Sequence, residues 1–269
     1  MKKVIITTAP TGNIPTKGLN PHTPITPDEI AKDVYECYKA GASIAHIHAR
    51  DSQGKPTTDV GVFEEIISKV RQYCDIIIQV STGARGGSLQ EREACIELGP
   101  EMASLTTGSS NFAHSVNHNP PQYIEHLAKK MLKYHVKPEV EIFDLSMIDN
   151  AKYLAKKGLL AEPVRYNLVL NVPGSLKGTA KNLMILKESL PNNCTWQVTA
   201  VGKSHQELTA LALVLGGDVR VGIEDVLELE KGRPVSNVEL VERVVGLAKS
   251  LGREIASPEE ARAQLGLSP

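Results

Sequence analysis

Short apolar, β-branched runs alternate with longer amphipathic stretches from one end of the chain to the other. The short runs predict strands and the amphipathic stretches predict helices. The predicted strands are Val4–Thr8, Ser43–His48, Ile76–Val80, Met102–Thr106, Glu139–Phe143, Arg165–Leu170, Trp196–Ala200 and Asp218–Ile223. The predicted helices are Pro27–Ala40, Val60–Tyr73, Ser88–Leu98, Pro120–Tyr134, Ser146–Lys157, Ala180–Ser189, Gln206–Leu215 and Asn237–Leu251. About eight such pairs predict a (β/α)₈ TIM barrel of the α/β class.

The length of the chain agrees with one barrel. Its 269 residues are close to the usual size of this fold, so we expect a single domain over residues 1–269. Residues at helix boundaries support the assignment. Thr26 is suited to cap the first helix, Pro27 takes its first position and Gly41 follows its end.

The segment after the first predicted strand favours a barrel over the alternative, a doubly wound open sheet. It lacks the glycine-rich phosphate turn that such sheets place there. The segment Pro10–Pro24 is instead the longest predicted loop and is rich in Pro, Gly and Thr. These features are typical of a loop that covers an active site.

The net charge of −1, with 30 basic and 31 acidic residues, provides no field to recruit nucleic acid or an anionic membrane surface. No apolar run approaches the length of a membrane-spanning helix. The four cysteines form no CxxC pair, and the N-terminus leads into a short strand rather than a signal-peptide core. We therefore expect a soluble cytoplasmic protein with reduced thiols.

Two histidines share one face of the second predicted strand. His46 and His48 are two residues apart, so their side chains point the same way. Ile44 has the same parity lower in the strand, as expected where a packed barrel interior gives way to polar groups at the C-terminal mouth. The HxH pattern alone leaves two interpretations open, a metal site and a hydrogen-bonded structural pair.

The last predicted strand alternates in the same way. Arg220 and Glu224 share one face and aliphatic residues take the other, so both charged side chains are predicted to point into the barrel. In a closed barrel the second and last strands flank the first, which lets His46, His48 and Glu224 form a zinc site with open coordination positions. The alternative is an Arg220–Glu224 ion pair with the histidines elsewhere.

Other polar side chains at predicted strand ends have matching parity. Ser81, Ser104 and Thr106 carry hydroxyls that either hold a substrate carboxylate or act as turn and capping groups. Glu139 and Glu141 are either catalytic or counter-ions of the interior arginine. The residues alone leave both alternatives open.

A series of short motifs follows a fixed order along the chain. They are Thr11-Gly12, Thr23–Ile30, Ala40–Ala42, His46–Asp51, Gln79–Gly83, Pro100–Leu105, Lys137–Glu141, Val172–Gly174, Lys181–Met184 and Arg220–Asp225. In this order they resemble the β-keto acid cleavage enzyme family over essentially the whole chain. So many matches in one order argue against a chance resemblance.

The resemblance implies a zinc enzyme that uses acetyl-CoA as co-substrate. It assigns zinc to the two histidines and Glu224, places Arg220 and Asp225 beside the reacting centre, and puts Glu141 opposite. Zinc would polarise the ketone, and a base is then needed at the carbon between the two carbonyl groups. We predict Asp225, held by Arg220, as this base and Glu141 as a second proton carrier. The implied products are acetoacetate and a new acyl-CoA.

The resemblance also bears on the substrate. It implies that the keto acid carboxylate lies against Ser81 and Ser104, with Thr106 adjacent, where the family often has Asn. Ile14 stands where a family member that acts on an amino-substituted keto acid has Glu, so we expect a neutral, short aliphatic substrate such as 3-oxopentanoate or 3-oxohexanoate. Arg85 either pairs with a second substrate carboxylate or is solvent-exposed.

Two further functions are compatible with the same residues. One is a zinc-dependent aldolase or hydrolase that does not use CoA, and the other is a metal-binding barrel without catalysis. The expected partners are a small β-keto acid and acetyl-CoA, with neither nucleic acid nor membrane. The resemblance further implies a homo-oligomer.

Overall fold

Eight parallel strands close into a barrel in the computed structural model, which describes residues 2–83, 87–113 and 115–267. The barrel strands β1 to β8 are Ile6–Thr8, Ile44–Ile47, Ile77–Val80, Met102–Thr106, Lys137–Ile142, Val164–Leu170, Cys194–Ala200 and Asp218–Val221. Each strand pairs with its neighbours in chain order, and β1 also pairs with β8. The predicted (β/α)₈ barrel is therefore confirmed.

Helices surround the barrel. Those in the described residues, α1 to α9, are Pro27–Ala40, Val60–Tyr73, Leu89–Arg92, Pro121–Lys133, Ser146–Lys156, Ala180–Ser189, His205–Val214, Asn237–Ser250 and Pro258–Leu265. The predicted cap of α1 is present, because the Thr26 side chain accepts a hydrogen bond from the Glu29 N–H. None of these helices combines the length and apolarity that crossing a membrane would require.

Among the differences between predicted and observed elements, three coincide with specific contacts or turns. The predicted helix Ser88–Leu98 is split into α3 and a 3₁₀ helix, Ala94–Leu98, because the buried Arg92 side chain donates to groups of two neighbouring loops. The first strand begins at Ile6 rather than Val4, since Val4 pairs with Ile255. The last strand ends at Val221, where Gly222 begins a turn.

The N-terminal ends of the strands form an apolar floor that α9 closes from below. This floor consists of buried residues from the strand starts and the C-terminal segment, Ile5, Ile44, Ile77, Met102, Ala256, Ala261 and Leu265. The C-terminal helix was not among the sequence-predicted elements. The opposite end of the barrel, at the C-terminal ends of the strands, stays open and forms the mouth.

Candidate active site

The two histidines predicted to converge lie at the mouth. His46 is in β2 and His48 follows the end of that strand. Their ring centroids are 5.1 Å apart, and both residues are buried. The His46 Nδ1 lies 2.5 Å from the side-chain oxygen of Gln79 in β3. The Nε2 atoms of both rings lie near Glu224, at 3.9 Å for His46 and 3.3 Å for His48.

Glu224 reaches this point through two close backbone approaches. A side chain on Gly222 would place its Cβ 2.0 Å from the Ala9 carbonyl oxygen, so the turn after β8 packs directly on the segment after β1. Gly12 has a φ of +63°, and a Cβ there would lie 2.5 Å from the Glu224 Cγ. These two glycines make room for the Glu224 carboxylate opposite the histidines.

This arrangement fits a metal ion. One ligand atom from each of His46, His48 and Glu224 lies within 4.8 Å of the others. The Glu224 Oε2 is buried and has no hydrogen-bond partner among the described residues, although buried carboxylate oxygens are normally paired. Burial, followed by the charge of Arg220, lowers the pKa of His46 to about 3. The imidazole is therefore neutral near pH 7, the form that binds zinc.

Arg220 organises the acidic groups beside the metal site. It holds Asp225 through two hydrogen bonds of 2.9 and 3.0 Å, and its Nη2 lies 2.6 Å from Glu224 Oε1. Burial opposes ionisation of Glu224, but Arg220 and the histidines hold its pKa well below the usual range. Burial raises the pKa of Asp225 to about 6 in spite of Arg220. The Arg220–Glu224 ion pair thus exists together with the histidine cluster rather than instead of it.

The two glutamates of β5 have different partners. Glu141 accepts a hydrogen bond of 2.7 Å from the Thr106 hydroxyl and lies 4.0 Å from Arg220. Burial raises the pKa of Glu141 against the effect of Arg220. Glu139 lies deeper in the barrel and pairs with Arg165 at 3.5 Å. Arg220 is therefore in contact with Glu141, whereas the ion-pair partner of Glu139 is Arg165 and Arg220 acts on it as a second positive charge.

A cavity of about 470 Å³ opens above these groups, within the range of small-molecule sites. His46, His48, Glu224, Asp225 and Glu141 form its polar end. Apolar side chains from four separate segments line much of the rest, among them Leu89, Phe112, Phe143, Val169 and Val172. The mouth therefore combines a charged end with a largely apolar wall.

The loop after β1 reaches the cavity, as its composition predicted. Asn13 and Ile14 line the opening, and Ile14 is 56% exposed. The buried Arg50 holds this loop by donating to the carbonyl oxygens of Gly12 and Pro15 at 2.9 Å each. Within the described part of the chain, the hydrogen bonds of Arg50 go to backbone carbonyl oxygens, so a cation anchors this loop over the mouth.

The predicted carboxylate-binding hydroxyls occupy different positions. Ser81 lines the cavity, and its hydroxyl accepts a hydrogen bond of 3.1 Å from the Gly83 N–H. Ser104 is 1% exposed and accepts from the Thr82 N–H at 3.0 Å. Thr106 donates to the second glutamate of β5. Direct substrate contacts of Ser104 and Thr106 stay predictions, and Arg85 lies outside the described residues.

Two residues of the site were not foreseen as such. Gln79 contacts His46. The sequence could have indicated this position, because Gln79 lies two residues before Ser81 and so shares one face of the strand with it. Arg92 lines the cavity and joins the segment after β3 to His118 by hydrogen bonds of 2.7 and 2.9 Å. No sequence pattern indicated this role of Arg92, because a polar residue in a helical pattern predicts an exposed side chain.

The family model of the beta-keto acid cleavage enzyme matches residues 3–267. The chain belongs to this family. Membership confirms the resemblance seen in the ordered motifs and, with it, the prediction of a transferase that cleaves β-keto acids.

Two relatives show the range of named activities within that similarity. The chain is 45% identical to a 3-keto-5-aminohexanoate cleavage enzyme of Fusobacterium nucleatum, with 99% of each chain covered. It is 35% identical to a 3-oxoadipate:acetyl-CoA acetyltransferase of Cupriavidus necator, with 98% of this chain and 94% of the relative covered. Both names refer to a 3-keto acid, but the two keto acids carry different substituents.

Among solved structures, the apo structure of ObcA superposes with a TM-score of 0.79 at 23% identity. The alignment covers 93% of this chain and 66% of ObcA, which is the longer protein. At this identity the similarity supports the barrel fold and no more.

Proposed function

We propose that the chain is a zinc-dependent enzyme that condenses a β-keto acid with acetyl-CoA and releases acetoacetate and a new acyl-CoA. The observation that carries this proposal is the convergence of His46, His48 and Glu224 beside the Arg220–Asp225 pair in one cavity. Two histidines and one carboxylate leave coordination positions open, as catalytic zinc requires. A purely structural zinc site would be closed by a fourth protein ligand.

Zinc, when bound by these three side chains, supplies Lewis-acid polarisation of the ketone. Side chains of the protein remove and return the protons. Asp225 is the base that removes a proton from the carbon between ketone and carboxylate, and the two hydrogen bonds from Arg220 fix its orientation. Glu141 borders the same cavity and serves as a second proton carrier. Ser81 is the cavity-lining hydroxyl that we propose for the substrate carboxylate.

The acyl transfer requires no oxidant or reductant. The deprotonated carbon forms a bond to the acetyl carbonyl carbon of acetyl-CoA, and CoA leaves as a thiolate. The thiolate sulfur then bonds to the original ketone carbon, and the bond between this carbon and the former nucleophilic carbon breaks. The proton taken at the start returns to that carbon, which gives acetoacetate and an acyl-CoA.

We further propose a neutral, short aliphatic substituent on the keto acid. The acidic residues among the described lining of the cavity, Glu141, Glu224 and Asp225, all lie at the metal end. An ammonium group at the other end would find the apolar side chain of Ile14 where it needs a counter-ion. The Fusobacterium relative is named for an aminated substrate, so the proposal separates this chain from that relative.

Comparison of kcat/KM for three substrates tests this specificity. With acetyl-CoA present, 3-oxohexanoate should exceed 3-keto-5-aminohexanoate by at least about tenfold, because an unpaired ammonium loses its hydration on binding. Ile14→Glu should reverse that preference, and Ile14→Leu is the matched control that should leave it unchanged.

The third substrate, 3-oxoadipate, tests the competing dicarboxylate hypothesis. Arg92 lines the cavity, and its hydrogen bonds to described residues go to neutral acceptors, so it is a candidate partner for a second carboxylate. Arg85, outside the described residues, is the partner that the sequence suggests. If 3-oxoadipate is the best substrate and Arg85→Ala removes its advantage, the neutral-substrate proposal is wrong. A higher kcat/KM for the amine would instead refute the inference from Ile14.

Two broader expectations remain proposals. We propose that the enzyme forms a homo-oligomer and acts in the cytoplasm. Light scattering coupled to size-exclusion chromatography should give a mass that is a multiple of 29.1 kDa. A mass of one chain at working concentration would contradict the first expectation.

A further inference from the structure

His46 uses its two ring nitrogens for two different neighbours. The Nε2 faces Glu224, and the Nδ1 lies 2.5 Å from the Gln79 side-chain oxygen. His46 and Gln79 are 1% and 0% exposed, so solvent does not compete for this contact. An oxygen acceptor at Nδ1 requires the proton on that nitrogen and leaves the lone pair on Nε2.

The buried carboxyl group of Glu139 favours the same orientation of the Gln79 amide. Burial raises the pKa of Glu139, and two arginines together with the Gln79 side chain oppose that shift. A nitrogen of Gln79 facing the carboxylate is attractive, whereas the flipped amide would place two oxygens together. Neither the Gln79 Nε2 nor the Glu139 Oε2 has a hydrogen-bond partner among the described residues. The contact of 2.5 Å between the Gln79 oxygen and the His46 Nδ1 therefore carries the assignment of that oxygen to the His46 side.

A buried polar layer across the barrel fixes Glu139 in turn. Gln197 donates to the Glu139 Oε1 at 3.0 Å, and the Arg165 Nε lies 3.5 Å from Oε2. Arg165 also pairs with Asp218, which accepts a hydrogen bond of 2.9 Å from the Ile5 N–H. The layer connects four strands, β5 to β8, so its members have little freedom to move.

We propose that Gln79 is the positioning residue of the metal site and holds His46 as the tautomer whose Nε2 lone pair faces His48 and Glu224. This inference rests on the proposed zinc site. Partners of the second nitrogen of a metal-binding histidine typically change metal affinity or activity about 10- to 100-fold. A neutral amide increases the basicity of His46 less than a carboxylate would, which preserves the Lewis acidity of a bound ion.

The test compares Gln79→Leu with Gln79→Glu in the full-length protein. The measurements are zinc Kd by chelator competition and the visible spectrum of the protein saturated with cobalt(II). Gln79→Leu removes the acceptor, so we expect zinc to bind about 10- to 100-fold more weakly and the cobalt spectrum to change. Gln79→Glu keeps an acceptor oxygen toward His46 and should retain the wild-type spectrum, with Kd within about tenfold of wild type. Its second oxygen faces the Glu139 carboxyl group, so this variant should lose stability rather than the metal site.

Gln197→Leu is the matched control, because Gln197 is equally buried, touches Glu139 and does not contact His46. It should lower stability without changing the cobalt spectrum. Wild-type zinc affinity and spectrum in Gln79→Leu would overturn this inference alone. An equal change in Gln197→Leu would also overturn it, since the effect would then reflect general damage to the core. Failure of the wild-type protein to bind zinc would overturn the proposed function as well.

Discussion

The two ends of the barrel are built from the same strands and have opposite chemistry. At the floor, Ile5, Ile44, Ile77 and Met102 pack with Leu265 of α9 in a fully apolar cluster. At the mouth, β2, β5, β8 and the turn after β8 present histidines, carboxylates and an arginine, all buried or nearly so. Along β2 the change takes place within two residues of one face.

This difference indicates that the floor residues mainly stabilise the fold, whereas the mouth residues mainly serve function. Apolar burial at the floor stabilises the fold by about 25 cal/mol per Å². Several charges held out of water at the mouth contribute little or oppose folding, although they pair with one another. Substitutions at the floor should therefore change stability and spare the site, while substitutions at the mouth should do the reverse.

His48→Ala should have the largest effect at the mouth. It removes one of three proposed ligands, so we expect zinc to be lost and turnover to fall by at least about 1,000-fold. The thermal midpoint of the metal-free protein should hardly change. Metal analysis, kinetics and calorimetry measure the three quantities. His126→Ala, at an exposed histidine of α4, is the control, and full zinc occupancy in His48→Ala would rule out the ligand assignment.

Asp225→Asn should separate chemistry from metal binding. It replaces the proposed base by a group that cannot accept the proton, so kcat should fall by about 10²- to 10⁴-fold. Zinc content should stay at the wild-type level, because Asp225 is not a proposed ligand. A kcat close to the wild-type value would indicate that Glu141, rather than Asp225, is the base. Asp149→Asn, an exposed acid on α5, controls for the loss of one negative charge.

Leu265→Ala tests the opposite end. The side chain is fully buried in the floor, so its truncation should lower the free energy of unfolding by about 2–5 kcal/mol. Zinc affinity and kcat of the folded protein should match wild type. Leu132→Ala, at a half-exposed position of α4, should lower stability by less than about 1 kcal/mol. A loss of zinc binding in Leu265→Ala at a temperature where it is folded would show that the two ends are coupled.

The buried Asp33 should make the free energy of unfolding depend on pH. Burial raises its pKa from 3.8 to about 7, against the hydrogen bond from Asn237. The folded state therefore binds this proton more tightly than the unfolded chain, so the contribution is present below about pH 4 and is lost as pH rises toward about 7. Relative to Asp33→Asn, the wild-type free energy of unfolding should fall by about 2–3 kcal/mol between about pH 5 and about pH 8. Equal pH dependence of the two proteins in urea unfolding would contradict this.

Alternation of residue type was sufficient to predict the barrel. His46 and His48 share a face because strands have a period of two, and the same argument turned Arg220 and Glu224 inward. The structure brings these four side chains together. Strand and helix ends were less predictable, since the end of β8 at Val221 depends on a contact of the next residue with Ala9.

The polar layer within the barrel was beyond prediction for a physical reason. Arg165 and Asp218 were placed in predicted strands, but only the closed barrel shows that they meet each other and Glu139. A buried charge is tolerated when its partners are present, and those partners lie on strands far apart in the sequence. The C-terminal helix had a local signal, because Ser257 forms a capping box with Glu260.

Isotope tracing tests the central claim, acyl exchange with acetyl-CoA in a zinc-dependent site, most directly. Zinc-loaded protein is incubated with 3-oxohexanoate and acetyl-CoA carrying ¹³C in both acetyl carbons, and the products are analysed by mass spectrometry. The account predicts acetoacetate with both labelled carbons, together with unlabelled butanoyl-CoA, and neither product after zinc is removed. Consumption of 3-oxohexanoate without acyl-CoA formation, or unlabelled acetoacetate, would contradict it.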